Sequence, residues 1–263
     1  MYLYARDGLR QIRIAPQLRD LRPKSRYAFR PDPSSIEGFG QPTPPAVPVF
    51  DVQCPAPPGC PPLAAGQCRP AVRRAIREAI KLANGAANKL DATIKFEPSM
   101  RDAQGKNTAR LFKFFFGHDP SRQVEHAGNE ASGAIVAHRL RRVAQELEGG
   151  RRIVFRCDAG CAATTRAHTN QAAEANVVNL CATFWNPPAA DSRGLPALFL
   201  RAGTIIHEML HVLYPDFFHH AGHPSGDPER RRDNAHCYKA FALRVAGFGG
   251  DRLAVAGCTA RLV

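Results

Sequence analysis

The sequence predicts an α+β domain, disulfide-linked, behind a basic and proline-rich extension. Three observations carry that expectation. Apolar residues recur at helical spacing in several long segments, as in Val72, Ile76, Ala79, Ala83, Ala86 and Leu90. Two runs rich in β-branched and aromatic residues stand between those helices, at 151–157 and 176–185. Prolines crowd the stretch from Pro31 to Pro62, and proline cannot donate to a ladder or continue a helix.

In chain order, residues 1–66 read as the extension. Leu9 to Ile14 alternates weakly, as a short strand would, and Pro31 to Pro62 reads as an extended linker. The domain, residues 67–263, opens near Cys68 with the Val72–Leu90 helix, Pro70 suiting its first turn. Asn107 to Gly117, carrying Phe112, Phe114, Phe115 and Phe116, reads as a buried core element. A helix is expected over 129–148, stopped by Gly149 and Gly150. After the two strands comes a helix over 198–214 ended by Pro215. A last helix is expected over 233–246, with Asp233 as its cap and Gly247 as its stop.

Lys+Arg 36 against Asp+Glu 23 gives a net charge of +13. That balance favours anionic partners, yet no basic-aromatic cluster or nucleic-acid motif is present, so no specific nucleic-acid partner is expected. No run is long and apolar enough for a membrane span. Eight cysteines along the chain suggest four disulfides and an oxidising compartment. Cys157-x-x-x-Cys161 as half of a second zinc site finds no pair to complete it. The first ten residues carry charges where a secretory signal is apolar. The expectation is a protein secreted or delivered outside the producing cytoplasm, from an incomplete start or by a route without a cleaved signal, as an effector of an injection machine would be.

The chemistry concentrates at His207-Glu208-Met209-Leu210-His211. Residues four apart share one helix face, so His207 and His211 can aim two imidazoles at one Zn²⁺, leaving a third ligand to find and a position for water. Glu208 is then placed as general base for the water. The flanks Ile205, Ile206, Met209, Leu210, Val212 and Leu213 are apolar, and polar groups in a buried helix need a reason.

An ordered series of segments resembles the deuterolysin and peptidyl-lysine metalloendopeptidase family, the aspzincins. It runs through the helix after Cys68; Asn107-Thr108-Ala109-Arg110-Leu111-Phe112; Cys157-Asp158-Ala159-Gly160-Cys161; Val178-Asn179-Leu180-Cys181-Ala182-Thr183-Phe184-Trp185; Ala202-Gly203-Thr204-Ile205-Ile206-His207-Glu208; and Asn234-Ala235-His236-Cys237-Tyr238 through Phe241-Ala242. The resemblance implies a zincin fold, a small mixed sheet with helices, and a zinc-dependent endopeptidase acting on protein or peptide substrates. It also implies the pairings Cys68–Cys157 and Cys161–Cys181, with Cys237–Cys258 and Cys54–Cys60 as the remaining guesses.

The chain departs from that family after the metal helix. The family's Gly-Thr-x-x-Asp-x-x-Tyr-Gly loop supplies the third ligand and a tyrosine for the oxyanion; here Tyr214 to Asp227 fills a shorter connection without it. His236, standing where the family has an aspartate, is the first choice for third ligand. His220 follows, then His223 or Asp216, with His219 exposed. For the oxyanion, Tyr238 is preferred over His223 and Tyr214. His118, His126, His138 and His168 read as solvated surface residues. Two rivals stand beside the zinc endopeptidase: a zincin-fold binding protein without turnover, and a basic nucleic-acid or wall-polymer binder.

Overall fold

A computed structural model describes residues 2–6, 9–15, 50–53, 68–158, 160–170, 174–186, 195–217, 227–249 and 252–259. The chain divides into two units, Met1–Pro45 and Ala46–Val263. In the first, strands β1 (Tyr2–Arg6) and β2 (Leu9–Ala15) form an antiparallel hairpin with Leu3 opposite Ile14 and an irregularity between Tyr4 and Arg6.

The second unit is built on a four-stranded mixed sheet. Its order is β3 (Phe50–Gln53), β6 (Ile153–Cys157), β8 (Val177–Leu180) and β7 (Ala167–His168). The first three are mutually parallel and β7 closes one edge antiparallel. The strand β3 lies inside the segment expected to run as linker, and corrects that reading. Between Pro48 and Pro55 the chain offers Val49-Phe50-Asp51-Val52-Gln53 without a proline. That is long enough to pair, with Val52 buried and its carbonyl accepting from Arg69 Nε at 3.2 Å.

Helix α1 (Cys68–Ile94) follows the predicted stripe closely, and all six of its named apolar residues are buried. Its alanines let α3 (Ser132–Gln145) and α5 (Ala197–Leu213) pack against it. Fully burying a residue such as Leu90 or Ile76 contributes about 2 kcal/mol. Helix α2 (Ala103–Phe116) carries the phenylalanine run. Phe112, Phe115 and Phe116 are fully buried, while Phe114 is exposed. Asp102 caps the helix by accepting from Gly105 N at 2.6 Å. Gly117 stops it at φ +86°, with its N–H donating to Lys113 O. A small hairpin, β4 (Gln123–Val124) and β5 (Glu130–Ala131), leads into α3.

The strand expected over 176–185 is shorter than its composition suggests. After Leu180 the chain turns at Cys181 into a helical turn, α4 (Ala182–Trp185). The disulfide to Cys161 and the Cys181 N–H bond to Arg166 O, 2.9 Å, tie Cys181 to the loop before β7. Phe184 and Trp185 turn inward instead of extending the ladder. The carbonyls of both accept from Arg201, which anchors the first half of α5.

At the C-terminal end, Asp233 does not cap the last predicted helix. It closes the short α6 (Pro228–Arg232) and pairs with Arg139 at 2.9 Å. Asn234 is the cap of α7 (Ala235–Val245), one residue on. A further helix, α8 (Arg252–Cys258), follows and is joined to α7 by the Cys237–Cys258 disulfide. Cys68 and Cys157 are disulfide-bonded too. Cys54 and Cys60 lie outside the described residues.

Candidate metal and catalytic site

Helix α5 is apolar on nearly every face, so its interior half is buried, including Ile205, Ile206, Met209 and Leu210. Within that setting Glu208 is 4% and His211 1% exposed, and His207 is half-buried. The helical repeat brings His207 Nε2 and His211 Nε2 to 3.2 Å, with ring centroids 4.8 Å apart. Two nitrogens each about 2.05 Å from one tetrahedral Zn²⁺ would stand about 3.3 Å apart. The imidazole pair fits the ion.

Helix α7 supplies the facing wall, and Gly203 sets how closely it approaches. A Cβ there would lie 3.1 Å from Leu243 Cδ1 and 3.2 Å from Lys239 Cγ. Across that gap the Lys239 stem reaches Thr204, one turn before Glu208, with Nζ donating to Oγ1 at 3.2 Å. Thr204 in turn donates to Leu200 O at 2.9 Å. Burial pushes the Glu208 carboxyl up to about 8, and the charge of Lys239 opposes it.

His236 opens α7. Its backbone N–H is capped by Asn234 Oδ1 at 2.9 Å, while Asn234 Nδ2 donates to Gly257 O at 2.8 Å. The His236 ring lies 4.4 Å from that of His207, centroid to centroid. The ring also rests on Gly257, where any Cβ would sit 2.8 Å from Cγ and Cδ2. One cap residue thus holds both the backbone under His236 and the segment against its ring, and Cys237–Cys258 ties the same two helices.

His207, Glu208 and His236 line a cleft of about 370 Å³, with His211 buried behind that lining. Besides Thr204, His207, Glu208, His236 and Lys239 it is bounded by Thr164 to His168, before and within β7, and by Ala254 and Ala256 of α8. His168, expected on the surface, lies in this wall. Its Nε2 meets Asp158 Oδ2 at 2.7 Å, and Asp158 is held below the usual carboxylate range by that bond and by the Gly160 N–H. The sulfurs of Cys161 and Cys181 lie close to His168. They are joined in a disulfide, so they offer no thiolate to a metal.

His168 keeps an exposed side chain there, whereas His118, expected on the surface too, is buried. His118 is 7% exposed, edge-on to Phe112 at 6.0 Å. Its pKa is lowered first by burial and then by Arg122 and Arg232.

Tyr238 is not brought to the cleft. Two residues beyond His236 it points to the opposite side of α7 and is fully buried against Phe116 and Phe217. Its hydroxyl donates to Arg232 O at 2.8 Å and accepts from Arg139 Nη1 at 3.0 Å. Burial, foremost, pushes that phenol up to about 12. The expectation that it faces an oxyanion is therefore corrected: the helical period turns it into the core. Tyr214 stacks on Phe217 with the Arg139 guanidinium over its ring at 5.3 Å, and it too is absent from the cleft lining. Asp216 is exposed beyond the end of α5. His219, His220 and His223 lie outside the described residues.

Lys239, Arg166, Gly257 and the positioning role of Asn234 were not singled out by sequence reasoning. The signal for Lys239 was a lysine among Tyr238, Ala240, Phe241 and Ala242, on a helix buried almost throughout.

Residues 100–242 match the family model for lysine-specific metallo-endopeptidase, the aspzincins. Among solved structures, a zinc peptidase from Grifola frondosa is similar to this chain with 16% identity. It covers 71% of this chain and 100% of its own, with a TM-score of 0.45. No curated protein matches the chain.

Proposed function

We propose, from the premise that this chain belongs to the aspzincin family of zinc metalloendopeptidases, that His207 and His211 hold the zinc and Glu208 is the general base. The observation that carries this reading is the 3.2 Å approach of the His207 and His211 Nε2 atoms, with His207 and the buried Glu208 lining one cleft. Zinc in such a site supplies Lewis-acid activation of water and of the scissile carbonyl. Glu208 accepts the proton of the attacking water and returns it to the leaving amine. Lys239 and Thr204 fix the wall against which Glu208 lies, and the apolar surroundings exclude competing water from the carboxylate.

His236 takes the third metal position in this proposal. Of the candidates among the described residues, its ring stands beside His207, whereas Asp216 is exposed and does not line the cleft. His220, then His223, are the alternatives supplied by the segment after α5. Single replacements of His236, His220, His223 and Asp216 by alanine, each titrated with zinc against a chelator, decide between them. The ligand's loss weakens affinity by orders of magnitude, and the others leave it within a few-fold.

The substrate is protein or peptide, as the family implies. Among the described residues no helix is long and apolar enough to cross a membrane. We further propose that the enzyme works outside the producing cytoplasm, as a secreted protease or a delivered effector. The disulfides Cys161–Cys181 and Cys237–Cys258 support this, since such bonds persist in oxidising compartments. Fractionation of the producing cells with thiol labelling tests it: the reading requires oxidised protein in the medium or in a target cell, and reduced protein retained in the cytoplasm contradicts it.

A further inference from the structure

We propose that Cys161, Cys181 and His168 form a second metal site, taking zinc or a similar thiophilic cation, when the disulfide between the two cysteines is reduced. The inference stands apart from the assignment of His207 and His211, since none of its ligands comes from α5.

The sheet brings the three residues together. Parallel strands β6 and β8 end side by side, with Cys157 opposite Leu180. Just beyond, the Asp158 N–H donates to Leu180 O at 3.0 Å. Cys161 follows the first strand end within one short turn, and Cys181 follows the second directly. His168 stands opposite Asn179 on the antiparallel edge strand β7. These ladder bonds, and the bond from the Cys181 N–H to Arg166 O at 2.9 Å, do not run through the disulfide, so the set stays assembled when it opens. One ring nitrogen of His168 and the two sulfurs lie within 4.8 Å of one another. Tetrahedral zinc, with sulfurs at about 2.3 Å and a nitrogen at about 2.05 Å, asks for ligand separations of about 3.6–3.8 Å. Side-chain rotation supplies that spacing from cysteine Cα atoms 5.7 Å apart.

A second observation points to a ligand. His168 Nε2 meets Asp158 Oδ2 at 2.7 Å, and Asp158 Oδ1 accepts from Gly160 N at 2.8 Å. A carboxylate on the outer nitrogen is the usual partner of a metal-bound imidazole. It fixes the tautomer and leaves Nδ1, with its lone pair, for the ion. The spacing Cys157-x-x-x-Cys161 suggested half a zinc site with no pair to complete it. In the fold Cys161 finds a different set, Cys181 and His168, while Cys157 is disulfide-bonded elsewhere.

The switch is a thiol–disulfide exchange. A thiolate of a dithiol attacks the sulfur of Cys161, which is part-exposed where Cys181 is 1% exposed, and Cys181 leaves as thiolate. The second thiol of the reagent then closes its own disulfide and frees Cys161. The reagent loses two electrons and the protein disulfide gains them. Zinc binds the pair with release of the two thiol protons. A cytoplasm supplies such thiols, so the metal site is the form of this corner before oxidation or on entry into a reducing compartment.

The experiment uses the full chain, oxidised or reduced with dithiothreitol that is then removed anaerobically. Both forms are titrated with cobalt(II) as an optical stand-in for zinc. The expected result is one further equivalent in the reduced form, with the near-ultraviolet absorption of thiolate-to-cobalt charge transfer, discharged by zinc. Only the increment between the two forms is read, so a failure of the α5 site, visible in the oxidised form, is distinguishable from a failure of this one. Asp158→Asn should weaken the extra site about 10–100-fold, and His168→Ala at least as much. Cys161→Ser with Cys181→Ser should abolish it. The Asp158 and His168 variants keep both cysteines, so they carry the test if the serine variant fails to fold, and circular dichroism accompanies each titration. A reduced chain that takes no further cobalt, or takes it only with its fold lost, overturns the inference. So does an increment that survives both serines, which assigns it to the other cysteines, or an affinity unmoved in His168→Ala.

Discussion

Replacing Tyr238 by phenylalanine removes one hydroxyl and separates two roles that differ in size. In the structure that hydroxyl donates to Arg232 O and accepts from Arg139 Nη1. Neither partner is stranded by its loss, because Arg139 Nη1 also donates to Arg232 O at 2.7 Å and to Asp233 Oδ1 at 2.9 Å. The expected cost is therefore one net hydrogen bond, about 1 kcal/mol. For a chain of this size that lowers Tm by about 2–4 °C. Turnover should stay within about twofold, since the phenol faces Phe116 and Phe217 and not the cleft. Differential scanning calorimetry beside kcat/KM on one peptide reads both numbers. An oxyanion donor would behave in the opposite way, with kcat reduced about 10²–10³-fold. A loss of that size with Tm unchanged would refute the structural role assigned to Tyr238.

Other perturbations have equally definite outcomes. Glu208→Gln should lower kcat by at least about 10²–10⁴-fold, while zinc affinity measured by competition stays within a few-fold; retained turnover would remove Glu208 from the mechanism. Cys237→Ser with Cys258→Ser opens a loop of sequence separation 21 and should cost about 3 kcal/mol, read by urea unfolding, with an unchanged midpoint as the contrary result. Asp119 is held below its ordinary value of 3.8, first by the hydrogen bond from Arg101 and against the opposing effect of burial. A depressed folded pKa contributes stability above the unfolded value that is lost as pH falls through the folded one. The Tm advantage of wild type over an Asp119→Asn variant should therefore be full near pH 6 and shrink as pH falls below about 4; a gap that widens on acidification would reverse the assignment.

Periodicity made the scaffold legible where one face alone is buried. The stripe of α1 and the apolar α5 were readable because side-chain spacing and burial coincide. The spacing of His207 and His211 likewise fixed their mutual approach, since a helix allows little else. Three features were hidden for physical reasons. Strand β3 is four residues among prolines and draws its order from β6, which is distant in sequence. The turn at Cys181 depends on a disulfide and a bond to Arg166, neither of which local propensity records. The inward turn of Tyr238, two positions from His236, follows from the helical period once the face of α7 that meets α5 is known, and that face is marked by the close fit of Lys239 and Leu243 on Gly203, a contact between distant segments. The wall formed by Arg166, His168 and α8 assembles segments nearly 90 residues apart, so it was invisible along the chain.

The central claim is that the two α5 histidines hold the metal. A crystal structure of the zinc-loaded enzyme, with anomalous differences recorded on both sides of the zinc edge, tests it most directly. The account predicts one strong zinc peak about 2.0–2.1 Å from Nε2 of both His207 and His211, with Glu208 beside it. Zinc bound elsewhere, with the two imidazoles left to each other, would contradict it.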